Sequence, residues 1–554
     1  MTAAPMRRFR HGRTTAMAAA GETLLDALAR RGFPRVVRSL RYHRLRGPFC
    51  GTGDCTGCLV RANGRPNVRA CRHPVAEGDR VDAGNGWPSA RHDLLGAFDL
   101  AFPRGVDLLH GFRRPLWLVP WYHRVIRALA GYSAAPDAAT VGALTAAPIV
   151  REVDVAVVGA GAAGTAAAAR LAEAGRTTLV VDRRTGLAPV VGAEVLDGTT
   201  VTFLPAPDPP APHPFQLLGY REPGQGVSIR CRTVIVATGA YDGTLLFGGN
   251  DRPGIMGAEL ACHWSGVGRA GVLGRTVLVG GGARANDVLE RLGASVRAVV
   301  APAEVAPEVA ARASDLGIPL YPRSLVLWAS GGARVRTLHL RTRGGGPHFS
   351  IPCDSVVLAH ARLPHVQLFF QGGVSMVWRP DPGAYYPRTA PDGVTSVPGL
   401  YAVGAAAGRS PAEARASGER AAVSIVANAP PAALSPEPTP DGPGPMDGYY
   451  RELLREPRRG KWFACTCEDV LLDEVLAAHA RGYRGIEVIK RYTNVGTGTC
   501  QGRYCLPGAL ALLSILEDRP PADVGYITQR PPVVPTPLAA LAALRSAVSE
   551  GEGR

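Results

Sequence analysis

Lysine is nearly absent from these 554 residues. Lys461 and Lys490 are the only two, and arginine supplies the rest of a formal charge of +16. So one-sided a choice of base reads as genomic composition bias. Basic residues crowd between Arg7 and Arg80, but aromatics are only 6% of the chain and do not interleave with them as a base-stacking platform would. No nucleic acid is therefore expected. A solvated arginine face, or one that offsets an anionic cofactor or an acidic partner, is the expectation. No apolar run reaches the ~18 residues of a membrane span. The opening "RRFRHGRTTAMAAAGETLL" has a small-residue run only from Ala16 to Gly21, short of the ~7–15 apolar residues of a secretory core. A cytoplasmic chain without a transmembrane segment is expected. Ser-His-Asp and paired-carboxylate constellations are missing too. His263, His360 and His365 stand singly and read as structural, so the catalytic residues are unknown.

What is present is a large apolar share, 46%, with Gly (67) and Pro (48) spread along the chain. That suits a multidomain α/β protein of three to five domains at ~100–200 residues each. Residues 1–85 read as a β-rich unit: two strands joined at His11-Gly12, a helix with Leu24, Leu25 and Leu28 on one face and Gly32 as its stop, and a hairpin at Asn63-Gly64. If Ala62 pairs with Arg65, the ladder sets Cys71 opposite Thr56. Residues 86–150 are a connecting segment without nameable chemistry. Residues 151–427 alternate strand and helix as an open, mostly parallel, doubled sheet, with the second unit at about 270–365. A Pro-rich linker (428–445), a helical domain (446–517) and an extended tail (518–554) complete the expected order.

The eleven cysteines are clustered, which in such a chain points to metal or redox chemistry rather than disulfides. Cys50-x4-Cys55-x2-Cys58-x12-Cys71 has the plant-type ferredoxin spacing for a 2Fe-2S cluster. Its glycines let the loop turn N–H groups toward sulfur. Cys465-x-Cys467 and Cys500-x4-Cys505 form a second quartet, expected at starts or turns of helices, whose partial positive charge suits an anionic cluster. Four-thiolate zinc is the alternative at both sites. Cys231, Cys262 and Cys353 read as buried free thiols.

Gly159-x-Gly161-x-x-Gly164 follows an apolar strand, opens an Ala-rich helix and is followed by Asp182 at the end of the next strand. This is a dinucleotide fingerprint, with the acid placed for a ribose hydroxyl. FAD is favoured over NAD because "TVIVATGA", with Gly239, and "PGLYAVGAAAG", with Gly404, sit where flavoproteins return to the cofactor. Gly280-x-Gly282-x-x-Ala285 also follows a strand, but the next strand ends in Ala301-Pro302 instead of an acid. Glycines for strand–helix packing and an NAD site are equally open readings there.

With these motifs assembled, the chain resembles the alpha-type subunits of heteromeric amine oxidoreductases: sarcosine oxidase alpha, hydrogen cyanide synthase, opine oxidase, and proline or hydroxyproline dehydrogenases. The stretches that carry the resemblance are "RSLRYHRLRGPFC", "CLVRANGRPNVRAC", "GGNDRPGIMGA", "IEVIKRYTNVGTGTCQGRYC" and "RPPVVPTPL". It implies an N-terminal β-grasp ferredoxin-like domain, a two-dinucleotide flavoprotein core, and a C-terminal domain similar to bacterioferritin-associated ferredoxin. It implies a separate beta-type FAD subunit that oxidises the amine, in a hetero-oligomer, and a downstream electron acceptor. It also implies that the chain ends before the folate-binding domain of full-length sarcosine oxidase alpha subunits. Between Asp182 and "VVGAEVLDGTTV" this chain is shorter than such relatives, in a segment that helps to cover the flavin.

The expected function is electron relay through FAD and two 2Fe-2S clusters, set at opposite ends of the molecule with the flavin between them. The alternatives are an NAD(P)H-linked reductase with the same cofactors, and a scaffold subunit whose flavin lobe has degenerated.

Overall fold

The computed structural model describes residues 5–87, 89, 92–103, 115–121, 123–124, 138–208, 211–222, 224–429, 433–435 and 445–549. Much of the expected connecting segment (104–114 and 125–137) and most of the Pro-rich linker (430–432 and 436–444) lie outside the described residues. The chain divides into two units, each drawn from three stretches. One comprises Met1–Ala134, Asp242–Arg362 and Pro443–Tyr526; the other comprises Ala135–Tyr241, Leu363–Gly442 and Ile527–Arg554.

In the first unit, a five-stranded sheet runs in the order Thr14–Ala19, Met6–His11, Arg80–Ala83, Leu59–Ala62, Arg65–Arg69. Helix Leu24–Ala29 lies on it, capped by the Thr23 side chain, which accepts from the Asp26 N–H. Leu24, Leu25 and Leu28 are all buried there, as the apolar spacing requires. The first hairpin pairs His11 with Thr14, so its turn is Gly12-Arg13, one residue later than expected. Gly12 supplies the positive φ of +57° that this tight connection demands.

The second hairpin departs from the simple ladder. Ala62 does face Arg65, but Val60 then faces Val68 and Leu59 faces Arg69. Pro66 and Asn67 together oppose Arg61, a bulge with Asn67 at φ +59°. Pro66 has no N–H to pair, and an extra residue shifts the register by one. The ladder therefore sets Ala70 opposite Cys58, where the Ala70 N–H donates to the Cys58 carbonyl, and Cys71 at the level of Gly57 and not opposite Thr56.

The same unit contains a parallel sheet ordered Ile255–Gly257, Ser355–Leu358, Thr276–Val279, Val296–Val300, Leu320–Tyr321. One continuous apolar core joins it to the N-terminal sheet, from Phe9, Leu25 and Val60 to Leu260, Trp264 and Leu289. That shared core is why residues 242–362 group with the N-terminal domain rather than with the rest of the expected 151–427 core. The C-terminal stretch adds a small hairpin, Phe463–Cys465 with Val470–Leu471, and helices Leu472–Ala480, Ile486–Thr493 and Leu506–Glu517.

In the second unit the sheet order is Glu194–Leu196, Thr178–Val181, Ile149–Val158, Gln225–Val236, Phe215–Arg221, Thr199–Phe203, with Leu400–Ala402 pairing Gln225–Val236. Helix Ala162–Glu173 packs against helix Pro411–Val426. Gly418 makes this possible, because a Cβ there would lie 2.0 Å from the Ala163 carbonyl oxygen. The expected extended tail is only partly so. "RPPVVPTP" is extended, but Leu538–Ser549 is a helix whose Ala540, Ala543 and Leu544 are buried against Gly226 of strand Gln225–Val236.

Candidate functional site

The loop Cys50–Cys58 joins two short strands and folds tightly on itself. At Gly57 a Cβ would stand 2.1 Å from the Gly47 carbonyl oxygen, so no side chain fits there. The N–H groups of Thr52 and Cys55 point at the Cys50 sulfur, each at 3.4 Å. Cys50 contacts Cys55 and Cys71, and Cys71 also contacts Cys58. All four thiols are buried and unbridged. Burial raises the Cys50 pKa, but hydrogen bonds from Cys55 and Cys71 outweigh it and hold that thiol well below its ordinary value.

The second quartet is built from two segments. Cys465 ends a strand and Cys467 lies in the hairpin turn. Cys500 lies in the turn region after helix Ile486–Thr493, and Cys505 caps helix Leu506–Glu517. Only Cys505 stands at a helix N-terminus; hairpin and turn geometry carry the other three. Cys465 contacts Cys505, and Cys467 contacts Cys500. Contact with Cys467, with help from the Tyr504 N–H and Arg503, outweighs burial and brings Cys500 to about 7. Gly498 leaves the room, since a Cβ there would meet the Cys467 Cβ at 2.7 Å. Among the described residues no three Cys, His, Asp or Glu side chains converge where one ion would sit; the second quartet's thiols meet in two pairs, and the first quartet's run in a chain, Cys55–Cys50–Cys71–Cys58.

The two quartets are neighbours. A cavity of about 60 Å3 is lined by Cys55 and Thr56 from the first loop and by Cys465, Cys467, Cys500 and Cys505 from the second. The expectation of opposite ends with a flavin between them is overturned: these thiols share one cavity. What holds them together is a set of buried ion pairs. Arg44 donates to Asp251 at 2.8 and 3.0 Å and to Asp99 at 2.7 Å. Arg46 joins Asp251 to Asp469. Arg41 donates through its backbone to Asp469 and through its side chain to Glu474, both at 2.8 Å. Lys461 pairs with Asp99 at 2.6 Å. The arginines of "RSLRYHRLRGPFC" thus clamp the hairpin of the second quartet. Sequence reasoning missed this role, although an arginine run flanked by Leu40, Tyr42, Leu45 and Phe49 was a signal of partial burial.

In the second unit, Gly159, Gly164, Asp182, Gly239 and Gly404 gather at one edge of the sheet, where Thr178–Val181 flanks Ile149–Val158 on one side and Gln225–Val236 on the other. This is the switch point at which open α/β sheets take nucleotides. A Cβ on Gly159 would meet the Ala237 carbonyl oxygen at 2.3 Å, and one on Gly164 the Gly159 oxygen at 1.9 Å. At Gly161, which caps helix Ala162–Glu173, a Cβ would meet nothing within 4 Å. The loop therefore keeps an open face at a helix N-terminus, which fits a pyrophosphate. Asp182 departs from the expected role. Its Oδ2 accepts from the Ala160 N–H at 2.7 Å and from Arg184 at 3.1 Å, and its Oδ1 accepts from the Arg184 N–H and Nε at 2.8 and 3.1 Å. Burial raises its pKa, but these bonds, led by the Arg184 side chain, leave it lowered overall. A ribose hydroxyl would have to displace Arg184.

At Gly282, which caps helix Ala283–Leu292, a Cβ would meet nothing within 4 Å, as at Gly161, but the neighbouring residues of this loop are engaged. A Cβ on Gly281 would meet the Glu304 oxygen at 2.7 Å, and the Ala306 N–H donates to the Gly281 carbonyl at 2.8 Å. Arg284, in the first turn of the helix, is held by Asp242 at 2.8 Å and Glu259 at 3.0 Å. His263 bonds Asp26 at 3.0 Å, where Trp264 also donates at 3.1 Å, and so ties two helices together. Burial pushes His360 down to about 4. Burial also pushes Cys231 and Cys353 up to about 12 and Cys262 to about 11, which leaves all three as inert thiols.

Residues 12–86 match the 2Fe-2S iron-sulfur cluster binding domain family, residues 157–206 the NAD(P)-binding Rossmann-like domain, and residues 459–545 the sarcosine oxidase A3 domain. The alpha chain of the Rhizobium meliloti sarcosine oxidase is 28% identical over 94% of this chain and 56% of its own length. An opine oxidase subunit from Agrobacterium tumefaciens is 26% identical over 71% of this chain and 92% of its own. This chain is a relative of the alpha-type subunits of sarcosine and opine oxidases. It spans little more than half of the sarcosine oxidase relative. The hydrogen cyanide synthase subunit HcnA of Pseudomonas aeruginosa is 46% identical across 12% of this chain. L-proline dehydrogenase from P. horikoshii shares the fold, with a TM-score of 0.64 at 19% identity over 96% of both chains. The chain thus matches an iron–sulfur domain and a Rossmann-like dinucleotide domain, and the relatives it resembles are subunits of oxidases. Among the described residues no helix is long and apolar enough to cross a membrane.

Proposed function

We propose that this chain is the electron-relaying subunit of a heteromeric dehydrogenase or oxidase acting on CH–NH donors such as sarcosine, opines or proline-like imino acids. A beta-type flavoprotein partner would oxidise the substrate, and a downstream acceptor would drain the electrons. Cys50, Cys55, Cys58 and Cys71 would hold one 2Fe-2S cluster; Cys465, Cys467, Cys500 and Cys505 would hold the other. The observation that carries this reading is eight buried, unbridged thiols in two foursomes, one linked as a chain and the other as two pairs. Two iron atoms per foursome, each taking two thiolates, suit thiols spread in a chain or in two pairs better than one tetrahedral zinc, which needs all four around a single point. In the other unit, Gly159, Gly161 and Gly164 would hold the FAD pyrophosphate, with Gly239 and Gly404 lining the same edge. FAD, when bound, can exchange electrons in twos with one partner and singly with another.

Iron, labile sulfide and flavin analysis of anaerobically purified protein tests the reading. About four iron atoms per chain are expected. About two would leave one quartet empty, and zinc in their place would remove the relay. The saturated Asp182 favours one alternative, a subunit whose dinucleotide lobe binds flavin weakly and whose thiol quartets serve the partner. FAD in stoichiometric amount in the purified complex rejects it. Against an NAD(P)H-linked reductase stand Arg284, already paired with Asp242 and Glu259, and the strand that ends in Ala301-Pro302 without an acid; bleaching of the flavin by NADH or NADPH would restore that reading.

A further inference from the structure

The ligand loops of the two quartets interlock. Thr56, between Cys55 and Cys58 of the first, places its hydroxyl 3.8 Å from the Cys467 sulfur of the second. Arg503, between Cys500 and Cys505 of the second, pairs with Asp54, between Cys50 and Cys55 of the first, at 3.6 Å. Phe49, next to Cys50, meets Tyr504, next to Cys505, edge to face at 5.3 Å between ring centres. Each loop is thus completed by residues of the other, and the Arg44–Asp251–Arg46–Asp469 pairs keep them from parting.

We propose that the two quartets form one electronically coupled pair, exchanging electrons directly across the Thr56–Cys467 contact, with Thr56 of the first loop tuning the second quartet. This rests on the reading that both quartets hold 2Fe-2S clusters. The exchange moves a single electron: one iron of the donor quartet goes from ferrous to ferric, one iron of the acceptor quartet from ferric to ferrous. No bond is made and no proton is needed. Electron transfer weakens steeply with separation, and here a single hydroxyl stands between the loops. A hydrogen bond to a cluster sulfur stabilises the more negative, reduced form. Thr56 therefore raises the potential of the C-terminal quartet although it belongs to the N-terminal loop.

The test is electron paramagnetic resonance of the full chain, reduced with dithionite, at two microwave frequencies. Coupling predicts splitting or broadening that keeps the same width in field units at both frequencies, and relaxation faster than that of an isolated cluster. Cys500→Ser and Cys58→Ser, each keeping one cluster, should give narrow spectra whose sum differs from that of the parent. In Thr56→Val, both clusters should persist and only the potential of the C-terminal one should fall. Two full signals that add up to the parent spectrum would overturn the coupling while leaving the relay function intact. An unshifted C-terminal potential in Thr56→Val would overturn the tuning role. If both cysteine variants lose all iron, the two-frequency measurement on the parent decides alone. No iron signal from the parent at all would sink the proposed function, and the coupling with it.

Discussion

Asp251 is the centre of the clamp that brings the two thiol quartets together, and replacing it with asparagine keeps the shape and removes the charge. Its side chain is wholly buried. Burial alone would raise its pKa, but Arg44 and then Arg46 more than compensate, taking it from 3.8 to about 2. A carboxylate lowered on folding stabilises the folded state above its unfolded value and loses that contribution as pH falls through its folded one. The shift corresponds to about 2 kcal/mol at neutral pH. Breaking a buried pair outright costs ~3–5 kcal/mol when a charge is left alone. Here Arg44 retains Asp99 and Arg46 retains Asp469, so the smaller figure should govern. The measurement is urea denaturation of the full chain at pH 7, followed by the visible absorption of the thiolate-bound cluster. Since a chain of two units need not unfold in one step, Asp251→Asn and Arg44→Met should be compared singly and together. Neighbours in one network couple by about 0.5–3 kcal/mol. Strict additivity of the two substitutions, or an Asp251→Asn midpoint equal to the parent's, would refute the clamp.

Further outcomes are expected elsewhere in the chain. Cys500→Ser should lower iron from about four to about two per chain while the far-ultraviolet circular dichroism stays unchanged. Gly161→Ala should fold but lose retained flavin, read from the extracted absorbance. Gly159→Ala should instead lower the yield of soluble protein, because its Cβ would stand 2.3 Å from a backbone oxygen. Arg184→Ala should free Asp182 and tighten FAD binding, measured by fluorescence titration of apoprotein; weaker binding would mean that Arg184 itself contacts the cofactor. Hydrogen bonding to Asp26 raises the His263 pKa against burial. The pair's contribution should therefore be complete below about 6.5 and fade as pH climbs past the raised value, a trend that His263→Gln should abolish in thermal-shift profiles.

Local patterns carried most of what could be read from the sequence. Strand–glycine loop–helix units, the Asn63-Gly64 hairpin and the cysteine spacings all act over short range, where side-chain chemistry and turn geometry decide. The bulge at Pro66-Asn67 was also locally encoded, since proline in a strand removes a ladder hydrogen bond. The tail helix was hidden behind prolines, although Ala540, Ala543 and Leu544 repeat with helical spacing. What escaped was non-local. Arg41, Arg44 and Arg46 looked like a solvated basic face because their acids, Asp99, Asp251, Asp469 and Glu474, are scattered along the chain. The adjacency of the two quartets was invisible for the same reason. Asp182 was placed correctly at its strand end, but Arg184, two residues on, took up its acceptor positions.

The first unit is assembled from three stretches of chain, and its last stretch carries Cys505, which leaves the ribosome 455 residues after Cys50. At a synthesis rate of ~5–20 residues per second, that interval is roughly 20–90 seconds. Until it ends the early thiols lack the second quartet beside them, and Arg46 and Arg41 lack Asp469 and Glu474, although Asp99 and Asp251 are already made. On the proposed reading, cluster delivery must either wait for translation to end or stabilise a half-built shell, so growth under iron limitation should yield a protease-sensitive chain.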